Sequence, residues 1–349
     1  MRWEETLEGY GSMIEGRLKD YCKGLIKEAR RYHPFIADVY SSLEEYILRR
    51  GKRLASCSTL LTYKGYTGRI DENILNVCVG IEIYRHCILI HDDIIDMDAS
   101  RRGGKTIHKR FAEGYDGRFG EGVAVFLGNI VYSLAARAII DSGFSEEKIV
   151  KSLSLLSDGY REVNESQMLD LLFEYKENVD VNEWLVMASK RAASLFKVTL
   201  LTGAVLGGAP KEDLEKLEEA AVNIGYTFDI QDDIIDTFAD ERQYGRSPCR
   251  DITLRKKPLH VICTLNSNNL EESRILKSLL GKKSLSPKDV SLIRDAIRKS
   301  GGLEAAKKTS HKRAETARSL IAQTNLSSDV KEFFNSLIDY IEESLDWYK

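Results

Sequence analysis

Residues 85–96 read RHCILIHDDIID, and residues 225–236 read GYTFDIQDDIID. Each stretch carries Asp-Asp-x-x-Asp inside an apolar run. On a helix, positions i and i+4 share a face, so Asp92 lies beside Asp96 and Asp232 beside Asp236. Like charges at that spacing repel by roughly 0.3 kcal/mol. Ile88, Leu89, Ile90, Ile94 and Ile95 surround the first pair, which puts it near a buried face, where charge without a partner is costly. A divalent cation relieves both penalties. All-oxygen ligation suits Mg²⁺, which keeps some of its waters and bridges carboxylates to phosphate oxygens. One acidic turn alone is commonly a solvated loop; two near-identical copies, each set among isoleucines, point to a function. A calcium EF-hand is disfavoured, because neither copy has the central glycine and the terminal glutamate at the required spacing.

The first cluster is followed by Asp98-Ala99-Ser100-Arg101-Arg102-Gly103-Gly104. Arginine forks pair bidentately with phosphate oxygens. Acidic metal ligands next to such arginines describe a metal–diphosphate site.

Around these motifs the pattern is helical throughout. Apolar stripes at helical spacing include Leu43, Tyr46, Ile47; Leu134, Ala138, Ile139; Leu153, Leu156, Tyr160; and Leu195, Val198, Thr199, Thr202. No alternating run suggests a sheet. The five prolines leave residues 35–209 free of any, which favours long helices. Breakers are expected at Tyr66-Thr67-Gly68-Arg69, at the glycines Gly114, Gly117, Gly120 and Gly122, at Gly207-Gly208-Ala209-Pro210 and at Gly301-Gly302. Ser286-Pro287 reads as an N-cap followed by proline at the first helical position. Residues 240–258 are polar and basic with two prolines, and read as a long functional loop. No linker composition appears. The expectation is one all-α domain over residues 1–349, a single large helical bundle.

Composition narrows the classes further. The chain has 349 residues, 43% hydrophobic and 30% charged, which excludes a mostly disordered chain. With 51 Lys+Arg against 54 Asp+Glu the net charge is −3, so a nucleic-acid partner is not expected. The six cysteines form no C-x-x-C pair, and several sit in apolar runs, as buried free thiols would in a reducing compartment. The N-terminus lacks a signal-peptide pattern and no long uninterrupted apolar run is seen, so a cytoplasmic protein without a membrane span is expected.

Taken together, the two aspartate motifs and the arginines after the first resemble those of the trans-isoprenyl diphosphate synthases, also called polyprenyl synthetases. The resemblance runs from about Gly51 to Leu259. It implies an all-α fold around a deep central cavity, a homodimer, and Mg²⁺-dependent head-to-tail condensation of isopentenyl diphosphate with an allylic diphosphate. By the same resemblance, Asp92, Asp93, Asp96, Asp232, Asp233 and Asp236 are metal ligands, joined by Asp170 from a Gln-x-x-Asp pair whose glutamine is Gln167. The allylic diphosphate would bind between the clusters, with Arg101, Arg191, Arg246 and Lys256 adding positive charge against the leaving diphosphate. Gly51-Lys52-Arg53 is similar to the family's glycine–lysine–arginine segment, and Lys52, Arg85 and Arg102 would hold isopentenyl diphosphate. Several positions depart from the pattern. The family arginine three residues after that lysine is Ala55, its histidine or glutamine seven residues before the first aspartate is Arg85, its Lys-Thr pair is Arg191-Ala192, and a glutamine is Asp229. Arg85 is read as a replacement for the charge missing at Ala55. Asp229 would add negative charge in the substrate region. His91 and His108 receive no role.

The helix before the first cluster would line the product cavity. Cys87 and Ile88, five and four residues before Asp92, are smaller than the aromatics that floor short-product members. Tyr84 is the next bulky side chain, and a product of about twenty carbons is expected with Tyr84 as the floor. The competing readings are a class I terpene cyclase, which usually carries a different second metal motif, and a divergent or non-catalytic synthase subunit, which usually loses an aspartate cluster. A helical nucleic-acid or protein-binding module is the outside alternative.

Overall fold

The computed structural model describes residues 3–49, 51–240 and 247–344. They form helices almost throughout, so the all-α expectation holds. The chain groups into two compact units: Met1–Leu156 with Thr199–Pro210 and Asn325–Phe333, and Ser157–Val198 with Lys211–Thr324 and Phe334–Lys349.

The first unit contains α1 (Trp3–Ala29), α2 (Pro34–Leu48), α3 (Leu54–Thr67), α4 (Glu72–Ile95), α5 (Ile107–Ala112), α6 (Gly117–Ile140) and the start of α7 (Glu146–Tyr175). Helix α4 is its centre. Asp71 caps it by accepting the Ile74 N–H at 3.1 Å, which satisfies one of the donors a helix start leaves open. Its run of apolar residues continues all the way round, so it is buried on every side for most of its length. Its main neighbour is α6, which Asp116 caps by accepting the Phe119 N–H at 2.7 Å. By length and composition both helices could cross a membrane, but 83% of the apolar window of α4 is buried in the protein, against 39% for α6.

The proline-free stretch does give long helices, and α3 stops at Gly68, whose N–H reaches the Lys64 carbonyl at 2.8 Å with φ at 69°. The other glycines divide. Gly114 sits in the turn before α6, whereas Gly117, Gly120 and Gly122 are helical. At Gly120 the reason is packing. A Cβ there would stand 2.1 Å from the His108 carbonyl oxygen of α5, so the residue lets two backbones approach instead of breaking a helix. A small strand pair, β1 (Ser100–Arg101) and β2 (Gly104–Lys105), also departs from the purely helical reading.

The second unit holds the rest of α7, then α8 (Val181–Ala188), the start of α9 (Ala192–Gly207), α10 (Lys211–Phe238), α11 (Arg250–Thr253), α12 (Leu259–Leu265), α13 (Leu270–Leu279), α14 (Pro287–Lys299), α15 (Gly302–Ala322) and the end of α16 (Ser328–Ser344). Trp184, Phe173, Ile230, Ile234, Ile262 and Ile293 share its core. The Ser286-Pro287 signal is correct: Ser286 accepts the Asp289 N–H at 3.2 Å and Asp289 accepts the Ser286 N–H at 2.8 Å, a reciprocal cap. The basic loop is tied to the end of α10, where the Asp236 carbonyl accepts from the Cys249 N–H at 2.8 Å and its carboxylate from the Asp251 N–H at 3.2 Å. All six cysteines are free thiols.

His260 is fully buried, with Nε2 2.8 Å from the Thr237 hydroxyl, and burial pushes its pKa down to about 3. The unfolded chain takes up this proton below the usual histidine value while the folded chain does not. Its contribution is therefore present above about pH 6.5 and falls by about 1.4 kcal/mol per unit as pH drops below that. Urea unfolding of the native chain and His260→Gln at pH 7, 6 and 5 should show the native advantage shrinking with pH. A constant difference would contradict this.

Candidate active site

Helix α4 ends at Ile95, and Asp96 closes it with its N–H on the Asp92 carbonyl at 2.8 Å. The i, i+4 relation survives, but the cluster stands at the helix C-terminus, where the backbone presents partial negative charge. Three carboxylates there require a cation. The hairpin β1–β2 returns one: Arg101 donates from Nε to Asp93 Oδ1, and its Nη2 lies 3.3 Å from Asp92 Oδ2 and 3.5 Å from Asp98 Oδ2. The Tyr46 hydroxyl donates to Asp93 Oδ2 at 2.6 Å. Burial pushes the Asp93 carboxyl up to about 6, against Arg101 and Tyr46, which favour its charge. Asp93 is thus locked and 1% exposed, while Asp92 and Asp96 remain half-exposed.

Of the basic residues expected nearby, Arg85 and Arg102 lie close to one another in this unit. Lys52 is exposed in the loop before α3, and Arg53 follows in a left-handed conformation with φ at 50°. Arg53 is buried against Glu82, Nη1 to Oε1 at 3.1 Å, and the Ser56 hydroxyl donates to the other oxygen of Glu82 at 2.7 Å. Arg102 lies on Gly51 so closely that a Cβ at that glycine would be 2.5 Å from its Nη1. Desolvation first, and then the positive charge of Arg85, hold Arg102 below the usual arginine value. Like charges gathered in this way describe an anion subsite. Ala55 is buried, so the family arginine is replaced here by a core methyl group. Of the residues expected to set chain length, Tyr84 and Cys87 are fully buried and Ile88 nearly so; the Tyr84 ring meets Tyr132 of α6 edge-on, with centroids 6.5 Å apart. His91 faces α6, its Nε2 3.3 Å from the Val125 carbonyl, as a packing residue does.

In the second unit the turn between α8 and α9 carries Arg191. Its Nε lies 3.2 Å from Asp229 Oδ2, its Nη2 3.5 Å from Asp233 Oδ2 and its Nη1 3.9 Å from Asp170 Oδ2. Lys256 reaches the same oxygen of Asp170 at 3.6 Å. Burial opposes the charge of Arg191, yet Asp229, Asp233 and Asp170 together raise its pKa well above the usual arginine value. Burial in turn pushes Asp229 up to about 6 and Asp233 well above an ordinary aspartate. Asp229 therefore does not stand as an uncompensated charge: it is the nearest partner of Arg191. Asp232 is the exposed member of its cluster, Asp236 is 2% exposed and holds the basic loop, and Gln167 is half-buried one turn before Asp170. Arg246 lies outside the described residues.

Among the described residues no three His, Cys, Asp or Glu side chains are gathered into a ready metal cage. The donor set still fits Mg²⁺. Asp92 and Asp96 in the first unit, and Asp232 in the second, each offer hard oxygens towards solvent, and this ion keeps several of its waters. Tyr46, Glu82 and Arg49 belong to the site's framework without any motif to mark them. Tyr46 lies in an apolar stripe, and only the fold brings its hydroxyl to Asp93.

The family model for polyprenyl synthetase matches residues 37–297. The chain belongs to the polyprenyl synthetase family. It is an enzyme of the prenyl diphosphate synthase kind, a trans-prenyltransferase. It is 30% identical over 273 residues to a short chain isoprenyl diphosphate synthase of Methanocaldococcus jannaschii, covering 78% of this chain and 80% of that one. Against the geranylfarnesyl diphosphate synthase of Aeropyrum pernix it is 30% identical over 298 residues, covering 84% and 90%. Its fold matches the crystal structure of geranylgeranyl pyrophosphate synthase from Corynebacterium glutamicum complexed with isoprenyl diphosphate and magnesium, at TM-score 0.89 and 22% identity, over 99% and 100% of the two chains.

Removing the cation from the second cluster should expose its strain. Arg191→Met is expected to cost roughly 3 kcal/mol in urea unfolding, because the buried Asp229 and Asp233 carboxylates lose a cationic partner. Adding Asp229→Asn should recover part of the loss. Additive costs would show that Asp229 and Arg191 do not act together.

Proposed function

We propose that this synthase is Mg²⁺-dependent and joins isopentenyl diphosphate to an allylic diphosphate, giving a product of about twenty carbons. The observation that carries the reading is the pairing of each acidic helix end with an arginine, Arg101 on Asp92 and Asp93 and Arg191 on Asp229 and Asp233. Cationic and carboxylate groups side by side are what a magnesium–diphosphate complex needs, since one set meets the phosphate oxygens and the other the metal. The relatives named for products of this class support the chain length, and the Corynebacterium complex supports the metal.

Asp92 and Asp96, supported by Asp93, would hold Mg²⁺ in the first unit, and Asp232, supported by Asp170, Asp233 and Asp236, would hold it in the second. When bound, the metal supplies positive charge to the allylic diphosphate. Arg101, Arg191 and Lys256 add fixed charge against the diphosphate as its carbon–oxygen bond breaks and the electron pair leaves with it; Arg246 shares this role by resemblance. Lys52, Arg85 and Arg102 orient isopentenyl diphosphate by its own diphosphate. Its double bond then forms the new carbon–carbon bond, and the proton lost from the product passes to the departing diphosphate. Tyr84, backed by Tyr132, limits the growing chain.

The active form is proposed to be a cytoplasmic homodimer. Phe126 is 69% exposed, and with Val125, Ile130 and Ile140 it makes an apolar face along α6. An exposed apolar patch of this kind suits a second copy of the chain.

Purified protein incubated with Mg²⁺, labelled isopentenyl diphosphate and a series of allylic diphosphates should give elongated products, and a chelator should abolish them. Tyr84→Ala should lengthen the product distribution; an unchanged distribution would remove Tyr84 as the floor. Phe126→Glu should shift the sedimentation coefficient from dimer to monomer, and a native chain that sediments as a monomer would refute the dimer.

A further inference from the structure

The arginine hairpin is too small to hold its own shape. Its strands pair only at Ser100↔Lys105 and Arg101↔Gly104, and an isolated ribbon of that size does not persist in water. Arg102 and Gly103 form its turn with φ of 50° and 81°. That geometry suits a two-residue hairpin, yet a left-handed arginine costs about 1 kcal/mol. Thr106 anchors the foot, Oγ1 to the Asp98 carbonyl at 2.7 Å and N–H to the Ala99 carbonyl at 3.2 Å. The Arg101 side chain is held by aspartates, which a metal would engage, while a diphosphate would engage Arg101 itself.

A buried anchor outside the hairpin is Arg49, just past the end of α2. Its Nη1 donates to the Arg101 carbonyl at 3.0 Å and its Nη2 to the Lys105 carbonyl at 2.8 Å, so it bridges the two strands. Glu45 fixes the guanidinium from behind, accepting from Nε at 2.9 Å and from Nη2 at 2.6 Å. The group lies 5.0 Å from the ring centroid of Tyr46, the residue that holds Asp93. The side chain is 8% exposed. Gly104 makes the room: a Cβ there would stand 2.4 Å from Arg49 Cζ. A lysine has no planar fork with which to reach both strands and a carboxylate together.

We propose that Arg49 is a positioning residue that clamps the hairpin from behind, so that Arg101 and Arg102 meet a diphosphate already ordered. Clamping removes an ordering cost from binding. The proposal rests on reading Arg101 and Arg102 as diphosphate-binding groups. Arg49 itself is engaged by two backbone carbonyls, Glu45, the Tyr46 ring and the close approach of Gly104.

The test uses the full chain with magnesium pyrophosphate as the calorimetric probe, alongside KM and kcat for isopentenyl diphosphate. Arg49→Lys, and from the other side of the contact Gly104→Ala, should each weaken pyrophosphate binding and raise KM roughly tenfold, with little change in melting temperature. The double variant should be no worse than either single one, since both break one contact. Hydrogen exchange should quicken at the amides of residues 100–106 in both variants. A lowered melting temperature with unchanged binding and KM would make Arg49 merely structural, and unchanged exchange would overturn the clamp. If the native chain binds pyrophosphate without condensing substrates, the reaction is wrong while weakened binding in the variants still supports the clamp. If the native chain does not bind pyrophosphate, the clamp falls with the reading of the arginines.

Discussion

Carboxylates gathered at the C-terminal end of a helix face the negative end of its dipole and one another. Burial adds to that penalty. This chain does it twice, at the ends of α4 and α10, and much of the surrounding structure follows from the need to supply a cation at each. Arg101 is carried back to α4 by a two-strand hairpin, and Arg191 is set against α10 by the turn between α8 and α9. One arginine cannot neutralise three carboxylates in a low-dielectric setting, which is why Asp93 and Asp229 are both pushed up to about 6 by burial despite their partners. The demand left over is of the kind that a divalent ion relieves.

Around that constraint the framework is polar and buried, not merely apolar. Arg53 enters α3 from a left-handed conformation and is held by Glu82 of α4, which also takes the Ser56 hydroxyl. Tyr46 connects α2 to Asp93, and Arg49, one turn on, connects α2 to the hairpin. Each contact satisfies a group that would be costly to leave unpaired. Together they fix backbone positions for side chains that must keep their charge available.

Much of the fold was legible from local chemistry. The long proline-free stretch, the helical stripes and the Ser286-Pro287 cap each act through near neighbours, and each gave helices where they were expected. Gly120 and Gly122 misled, because a glycine that breaks a helix and a glycine that admits a neighbouring backbone look alike in one dimension. The carboxylates and the paired arginines were legible because their spacing already implies repulsion and its relief. Asp229 was legible as a charge but not as a partner, since Arg191 is distant in sequence.

The sequence by itself determined a helical chain with two acidic clusters and a following arginine pair, because residue type and spacing of a few residues carry that information. Tertiary structure decided which carboxylates are locked and which stay open, and that Arg85 lies near Arg102. It also placed Tyr46 on Asp93 and Arg49 behind the hairpin. These are contacts between residues from different helices, and their energies depend on burial and on distances of a few ångströms, neither of which is written in the order of the residues.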